Sequence, residues 1–266
     1  MDCKKAIVVA SFGTSYNDTR AKTIDRIESD IAKAFPDREV RRAFMSKMII
    51  KKLKDRDGVE IDYIDEALQH LVDDGFDDVI VLPTFVFNGN EFDDIVRISS
   101  SFVPKFKSLS IANPLLTEER DFDELQNMIV NDILNESRSV GGTDSVLILM
   151  GHGTDHYSNG AFSEIQLKLM MAGFDDILVT TVEGFPRFSD LEKIMEKREK
   201  INVVLAPLML VAGDHALNDM AGDSPNSLKS VMENKGHTVH SLVKGLAEYD
   251  CVRKMFIRHI TDVMTD

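Results

Sequence analysis

Six short apolar runs, separated from one another by helical patterning, constrain this chain more than any other feature. They are AIVVA (6–10), DDVIVLP (77–83), SLSIAN (108–113), SVLILM (145–150), DILVTTV (176–182) and NVVLAP (202–207). Between them apolar residues recur at helical spacing, as at Ile24, Ile27 and Ile31. The same holds for Ile64, Leu68, Leu71 and Val72, where Gly75 stands at the position that ends a helix. Strands apolar on both faces and alternating with helices belong to a parallel sheet covered on both sides. The pattern predicts a doubly wound α/β fold.

The pattern also repeats. VVASFGTS (8–15) resembles LILMGHGTDH (147–156), Gly13-Thr14 answering Gly153-Thr154. VIVLPTFVFNGNEFDD (79–94) resembles VVLAPLMLVAGDHALND (203–219), with Pro83 answering Pro207 and Gly89-Asn90-Glu91 answering Gly213-Asp214-His215. Two similar Rossmann-like halves follow, residues 1–140 and 141–266, joined near SRSVGGTDS and expected to enclose a cleft between them.

Composition excludes several classes. With 43% hydrophobic and 29% charged residues, the 266-residue chain reads as globular and soluble. No apolar run approaches the ~20 residues that span a bilayer. The N-terminal MDCKKAIVVASFG reads as a first strand and not as a signal peptide, which makes the cytoplasm the expected location. Cys3 and Cys251 lie too far apart in sequence to suggest a thiolate cage. A net charge of −14 argues against nucleic acid and anionic membranes as partners, while leaving room for an anionic small ligand at a locally positive site. Neither a Walker loop nor GxGxxG is present, so no organic cofactor is expected.

In doubly wound sheets ligands bind beyond the C-terminal ends of the strands. Three strand ends of the second half carry metal-capable residues there: His152 between two glycines, Glu183 before Gly184, and His215 after NVVLAPLMLVAG. Two imidazoles and a carboxylate suit a divalent first-row metal. Each residue also has a structural reading: His152 as a hydrogen-bonded strand-end group, Glu183 as a capping partner, and His215 as the neighbour of a capping Asp214. His156 falls in the same region, whereas His70, His237, His240 and His259 read as structural or surface residues. The first half has Phe12 where the second has His152, and Glu91 where it has His215. Its turns FGTSYND and FNGNE offer Thr14, Asn88 and Gly89 as polar or backbone contacts for carboxylates, and Phe12 and Phe85 suit a flat aromatic ligand.

Several longer motifs carry a resemblance: SFGTSYNDT (11–19), MIIKKLKDRDG (48–58), NGNEFDDIVR (88–97), MGHGTDH (150–156), VEGFP (182–186) and PLMLVAGDHALNDMAGD (207–223). In order and nearly end to end, they resemble the class II tetrapyrrole chelatases, in particular the anaerobic sirohydrochlorin cobaltochelatases of cobalamin biosynthesis. The resemblance implies a lyase that inserts a divalent metal, Co²⁺ first and Fe²⁺ or Ni²⁺ as alternatives, into a sirohydrochlorin-type tetrapyrrole. It carries metal binding to His152, Glu183 and His215, with His152 and Glu183 catalytic. Macrocycle contacts fall on Phe12, Thr14, Phe85, Asn88, Gly89, Glu91 and His156. Where the family motif reads HIING this chain reads FVFNG, so Phe85 stands at the position of the family's histidine. A homo-oligomer remains open. The rival readings are an iron chelatase for sirohaem or haem, and a non-catalytic carrier of metal or tetrapyrrole.

Overall fold

The computed structural model describes residues 3–199 and 201–264. Its strands are β1 (Lys5–Ser11), β2 (Glu39–Phe44), β3 (Asp78–Thr84), β4 (Ser108–Ile111), β5 (Val146–Gly151), β6 (Ile177–Thr181), β7 (Asn202–Pro207) and β8 (Thr238–Ser241). They form two four-stranded parallel sheets, ordered β2-β1-β3-β4 and β6-β5-β7-β8. The second order is the first repeated four strands later, so the sequence repeat is a repeat of topology. All six apolar runs are strands. Two edge strands, β2 and β8, had no comparable apolar signal.

Why these segments pair is legible in their burial. Ala6 to Ala10 in β1 and Leu147 to Met150 in β5 are completely buried, each strand flanked by strands on both sides. The helix Ile24–Ala34 buries Ile24, Ile27 and Ile31, and the helix Ile64–Asp73 buries Ile64, Leu68 and Leu71, as their spacing predicts. Each such side chain removed from water contributes about 1.5–3 kcal/mol.

The chain divides differently from the 140/141 boundary. One compact unit is formed by the chain up to Thr117 together with the segment from Ala247 onward, and the other by Glu118–Leu246. The last helix, Asp250–Asp262, returns to the first unit, where it meets the helix Ile24–Ala34 and β3. Val252, Phe256 and Ile260 are fully buried in it, and Arg253 Nε donates to Asp30 at 2.7 Å. Conversely, the helix Glu119–Met128 belongs to the second unit, where Lys168 from the helix Gly160–Met171 pairs with Glu119 and with Asp123 at 3.0 Å. A sequence repeat counts strands and loops in order. It is blind to terminal helices that cross over.

Candidate active site

The two sheets can be laid on each other residue by residue at their C-terminal ends. Ala10 pairs with Pro83 in the first, and Met150 with Pro207 in the second. Beyond the strand ends the same backbone bonds recur. Ser46 N–H donates to Phe12 O at 3.2 Å, and Glu183 N–H to His152 O at 2.8 Å. Leu115 N–H donates to Phe85 O at 2.9 Å, and Leu246 N–H to Met209 O at 2.8 Å. The three strand-end positions of the first unit are therefore Phe12, Ser46 and Glu91, and those of the second are His152, Glu183 and His215.

Two of the second unit's three residues meet directly. The rings of His152 and His215 lie 4.4 Å apart, centre to centre, and nearly perpendicular at 86°. Each has one nitrogen committed to an oxygen that can only accept: His152 Nδ1–H to the carbonyl of Gly153 at 2.8 Å, and His215 Nδ1–H to the carboxylate of Asp219 at 2.6 Å. In the neutral rings these bonds select the tautomer with the proton on Nδ1 and the lone pair on Nε2. Two imidazole lone pairs on adjacent rings make a nucleus for a first-row metal ion. Glu183 is exposed and joined to this pair through its backbone. Among the described residues, no group of three His, Cys, Asp or Glu side chains is already drawn together as a metal cage.

The loops that carry these residues approach closely for identifiable reasons. Gly153 has φ +82°, and a Cβ there would run into Gly184 N and lie 2.9 Å from Thr181 Cβ. The absence of a side chain is what lets the His152 loop rest on the Glu183 loop. Asn159 joins the same two loops, its Oδ1 accepting from Thr154 N–H at 3.1 Å and its Nδ2 donating to Phe185 O at 2.8 Å. Thr181 Oγ1 accepts from Gly184 N–H at 3.0 Å and closes the turn after β6.

His156 differs from the paired histidines. Its Nδ1 accepts from Ser158 N–H at 3.2 Å, which puts the proton on Nε2, and its ring packs on Tyr157 with centres 4.1 Å apart. Its tautomer is thus the opposite of theirs. In the first unit, Phe12 is 46% exposed at the strand end, whereas Phe85 packs against the core. Thr14 is buried, its hydroxyl accepting from Tyr16 N–H at 3.2 Å, as Thr154 does from His156 N–H at 3.1 Å. Asn88 Oδ1 is buried without a hydrogen-bond partner among the described residues. Gly89 caps the helix Asn90–Ser100 with an ordinary φ of −118°, and an added Cβ would meet only the Glu91 carboxylate, at 3.6 Å. Its backbone does not require glycine.

His70, His237 and His259 have hydrogen-bond partners of their own. His70 pairs with Asp62 at 2.8 Å, and this hydrogen bond raises its pKa above the ordinary value. His237 is buried, which lowers its pKa, and its Nδ1 accepts from Ile201 N–H. His259 bonds to Asn113 O at 3.1 Å. Asp219 and Asn159 were missed from sequence. The first is signalled by its i+4 spacing from His215, but nothing local marks the second.

Comparison with known proteins identifies the family of the chain. The family model described as cobalt chelatase (CbiK) matches residues 5–265. The chain is 38% identical to a sirohydrochlorin cobaltochelatase of Salmonella typhimurium over 97% of its length and 95% of that protein's. It is 26% identical to the sirohydrochlorin cobaltochelatase CbiKC of Nitratidesulfovibrio vulgaris, over 97% of this chain and 90% of the relative. Among solved structures, SirB from Bacillus subtilis with Fe³⁺ superposes with a TM-score of 0.67 at 15% identity, covering 97% of this chain and 95% of that one. That likeness bears on the fold alone. With the family model spanning almost all of its residues, the chain belongs to the CbiK cobalt chelatase family.

Proposed function

We propose that this protein is a sirohydrochlorin cobaltochelatase, with the metal ion as one substrate and the tetrapyrrole as the other. The observation that carries the reading is the perpendicular His152–His215 pair, both rings held with Nδ1 protonated and Nε2 available. Co²⁺ loads on the two Nε2 atoms, and the carboxylate of Glu183 completes the set. A negative ligand beside two neutral ones offsets part of the ion's charge and leaves positions for the incoming macrocycle.

Insertion replaces two pyrrole N–H protons by one divalent ion, so two protons must leave the ring. As the metal passes from His152 Nε2 to a pyrrole nitrogen, that imidazole lone pair is released and can accept a proton. Glu183, exposed to solvent, takes the second and passes it to water. The same groups thus deliver the metal and receive the protons.

Anaerobic insertion assays with Co²⁺, Fe²⁺ and Ni²⁺ on sirohydrochlorin and protoporphyrin test the proposal. Many cobalt-sirohydrochlorin molecules per chain are expected. Preferred turnover with Fe²⁺ would make the protein an iron chelatase, and product that stops at one macrocycle per chain would make it a carrier.

A further inference from the structure

We propose that Asp219 is a positioning residue for metal loading, holding His215 in the one tautomer and ring orientation that leaves Nε2 as a ligand. The inference rests on the reading of His215 as a metal ligand. Asp219 Oδ2 accepts from His215 Nδ1 at 2.6 Å, and its side chain is close to half exposed. A carboxylate behind a metal-binding imidazole fixes the ring and makes the far nitrogen a better donor.

The first unit supplies an internal control. By the register that places Glu91 opposite His215, the residue opposite Asp219 is Ile95, which is completely buried in the hydrophobic core of that unit. The imidazole and its carboxylate are thus present together in one copy and absent together from the other. The backbone differs at the same place. In the first unit the segment lies in a regular helix, Asn90–Ser100, whereas in the second His215 leads into a π-helical turn, Ala216–Met220. Single π-helical turns are found disproportionately at functional sites. An apolar residue at position 219 would suit burial, and a carboxylate here instead faces the one histidine whose ring meets His152.

The test compares Co²⁺ binding, read from the d–d absorption of the bound ion, with the ¹⁵N imidazole spectrum of the metal-free protein. The variants are Asp219→Ala, Asp219→Asn, His215→Ala and the double variant His215→Ala/Asp219→Ala, each first shown to melt like the parent. Asp219→Ala is expected to weaken Co²⁺ binding about 10–100-fold and to give His215 a mixture of tautomers. Asp219→Asn, which keeps an acceptor oxygen, should recover most of the single tautomer and part of the affinity. In the double variant the loss should equal that of His215→Ala alone, because Asp219 acts through the ring. Parental affinity with an unmixed tautomer in Asp219→Ala would overturn the proposal. So would additive losses in the double variant, which would make Asp219 a ligand in its own right. If His215→Ala itself bound Co²⁺ like the parent, the ligand assignment would fail, and that outcome is separate from failure at Asp219 alone.

Discussion

The two units share a sheet order, a strand-end turn and even the hydroxyl that closes it, yet they end their strands on different chemistry. At the three equivalent positions the first unit carries Phe12, Ser46 and Glu91, and the second carries His152, Glu183 and His215. Ser46 serves the backbone, its Oγ accepting from Ile49 N–H at the start of the helix Lys47–Asp57. Gly13 and Gly153 both have positive φ, but the space each leaves is used differently. Behind Gly13 lies the ring of Phe44, and behind Gly153 lies the backbone of Gly184. The scaffold is common to both, and only the second has traded a packed ring for a second loop carrying a carboxylate. A fold of this kind fixes where strand ends come together, and a few side chains then decide whether that place is apolar or coordinating.

The sharpest way to break the comparison is to truncate equivalent residues. His152→Ala should lower turnover about 10²–10⁴-fold with little change in melting temperature, while Phe12→Ala should leave Co²⁺ affinity unchanged. Turnover, metal titration and thermal melting on both variants would decide it, and active His152→Ala would remove that residue from the mechanism. Next in size, Glu183→Gln keeps the shape and loses the charge, so Co²⁺ affinity should fall by about tenfold or more.

Paired glycine changes then ask what each close approach is for. Gly153→Ala and Gly13→Ala should each cost about 1–3 kcal/mol in denaturant unfolding, because both require positive φ. Only Gly153→Ala should also weaken metal binding, since its new methyl group pushes on the Glu183 loop. Ser46→Ala should cost about 1 kcal/mol of stability through loss of its cap, with metal affinity untouched.

The smallest effect separates two histidines outside the proposed chemistry. Asp62 raises the His70 pKa in the folded protein, so this pair stabilises fully below the unfolded value near pH ~6.5 and loses its contribution as pH rises through the raised value. Burial lowers the His237 pKa, so the unfolded chain binds the extra proton and stability falls as pH drops below that same unfolded value. Unfolding curves between pH 5 and 8 should therefore show a deficit in His70→Gln only at the acid end. Its size should stay below about 0.5 kcal/mol, because the pair is exposed. His237→Gln should instead flatten the acid loss.

Much of this contrast is written in the amino-acid sequence. The central strands announce themselves because both their faces are covered, which forces continuous apolar runs such as Ala6 to Ala10 and Leu147 to Met150. The edge strands β2 and β8 escape notice because polar and charged residues interrupt them, Glu39, Arg41 and Arg42 in β2 and Thr238, His240 and Ser241 in β8. Arg42 in β2 illustrates this, since its guanidinium pairs with Glu28 and Asp25 instead of entering a core. The alignment of Phe12 with His152 and of Glu91 with His215 was likewise legible, because glycine and proline punctuation survives in both copies.

What the sequence determined by itself was local and periodic: two doubly wound sheets, the strand ends where ligands gather, and the residue types offered there. Only the tertiary structure decided which of those residues meet. It drew the His152 and His215 rings to 4.4 Å, set their tautomers through Gly153 and Asp219, and tied the His152 and Glu183 loops with Asn159. It also sent the helix Asp250–Asp262 back to the first unit. The physical reason is one of range. Burial periodicity and turn chemistry act within a few residues of a position, whereas tautomer, ring orientation and helix exchange depend on partners that the chain brings near only by folding.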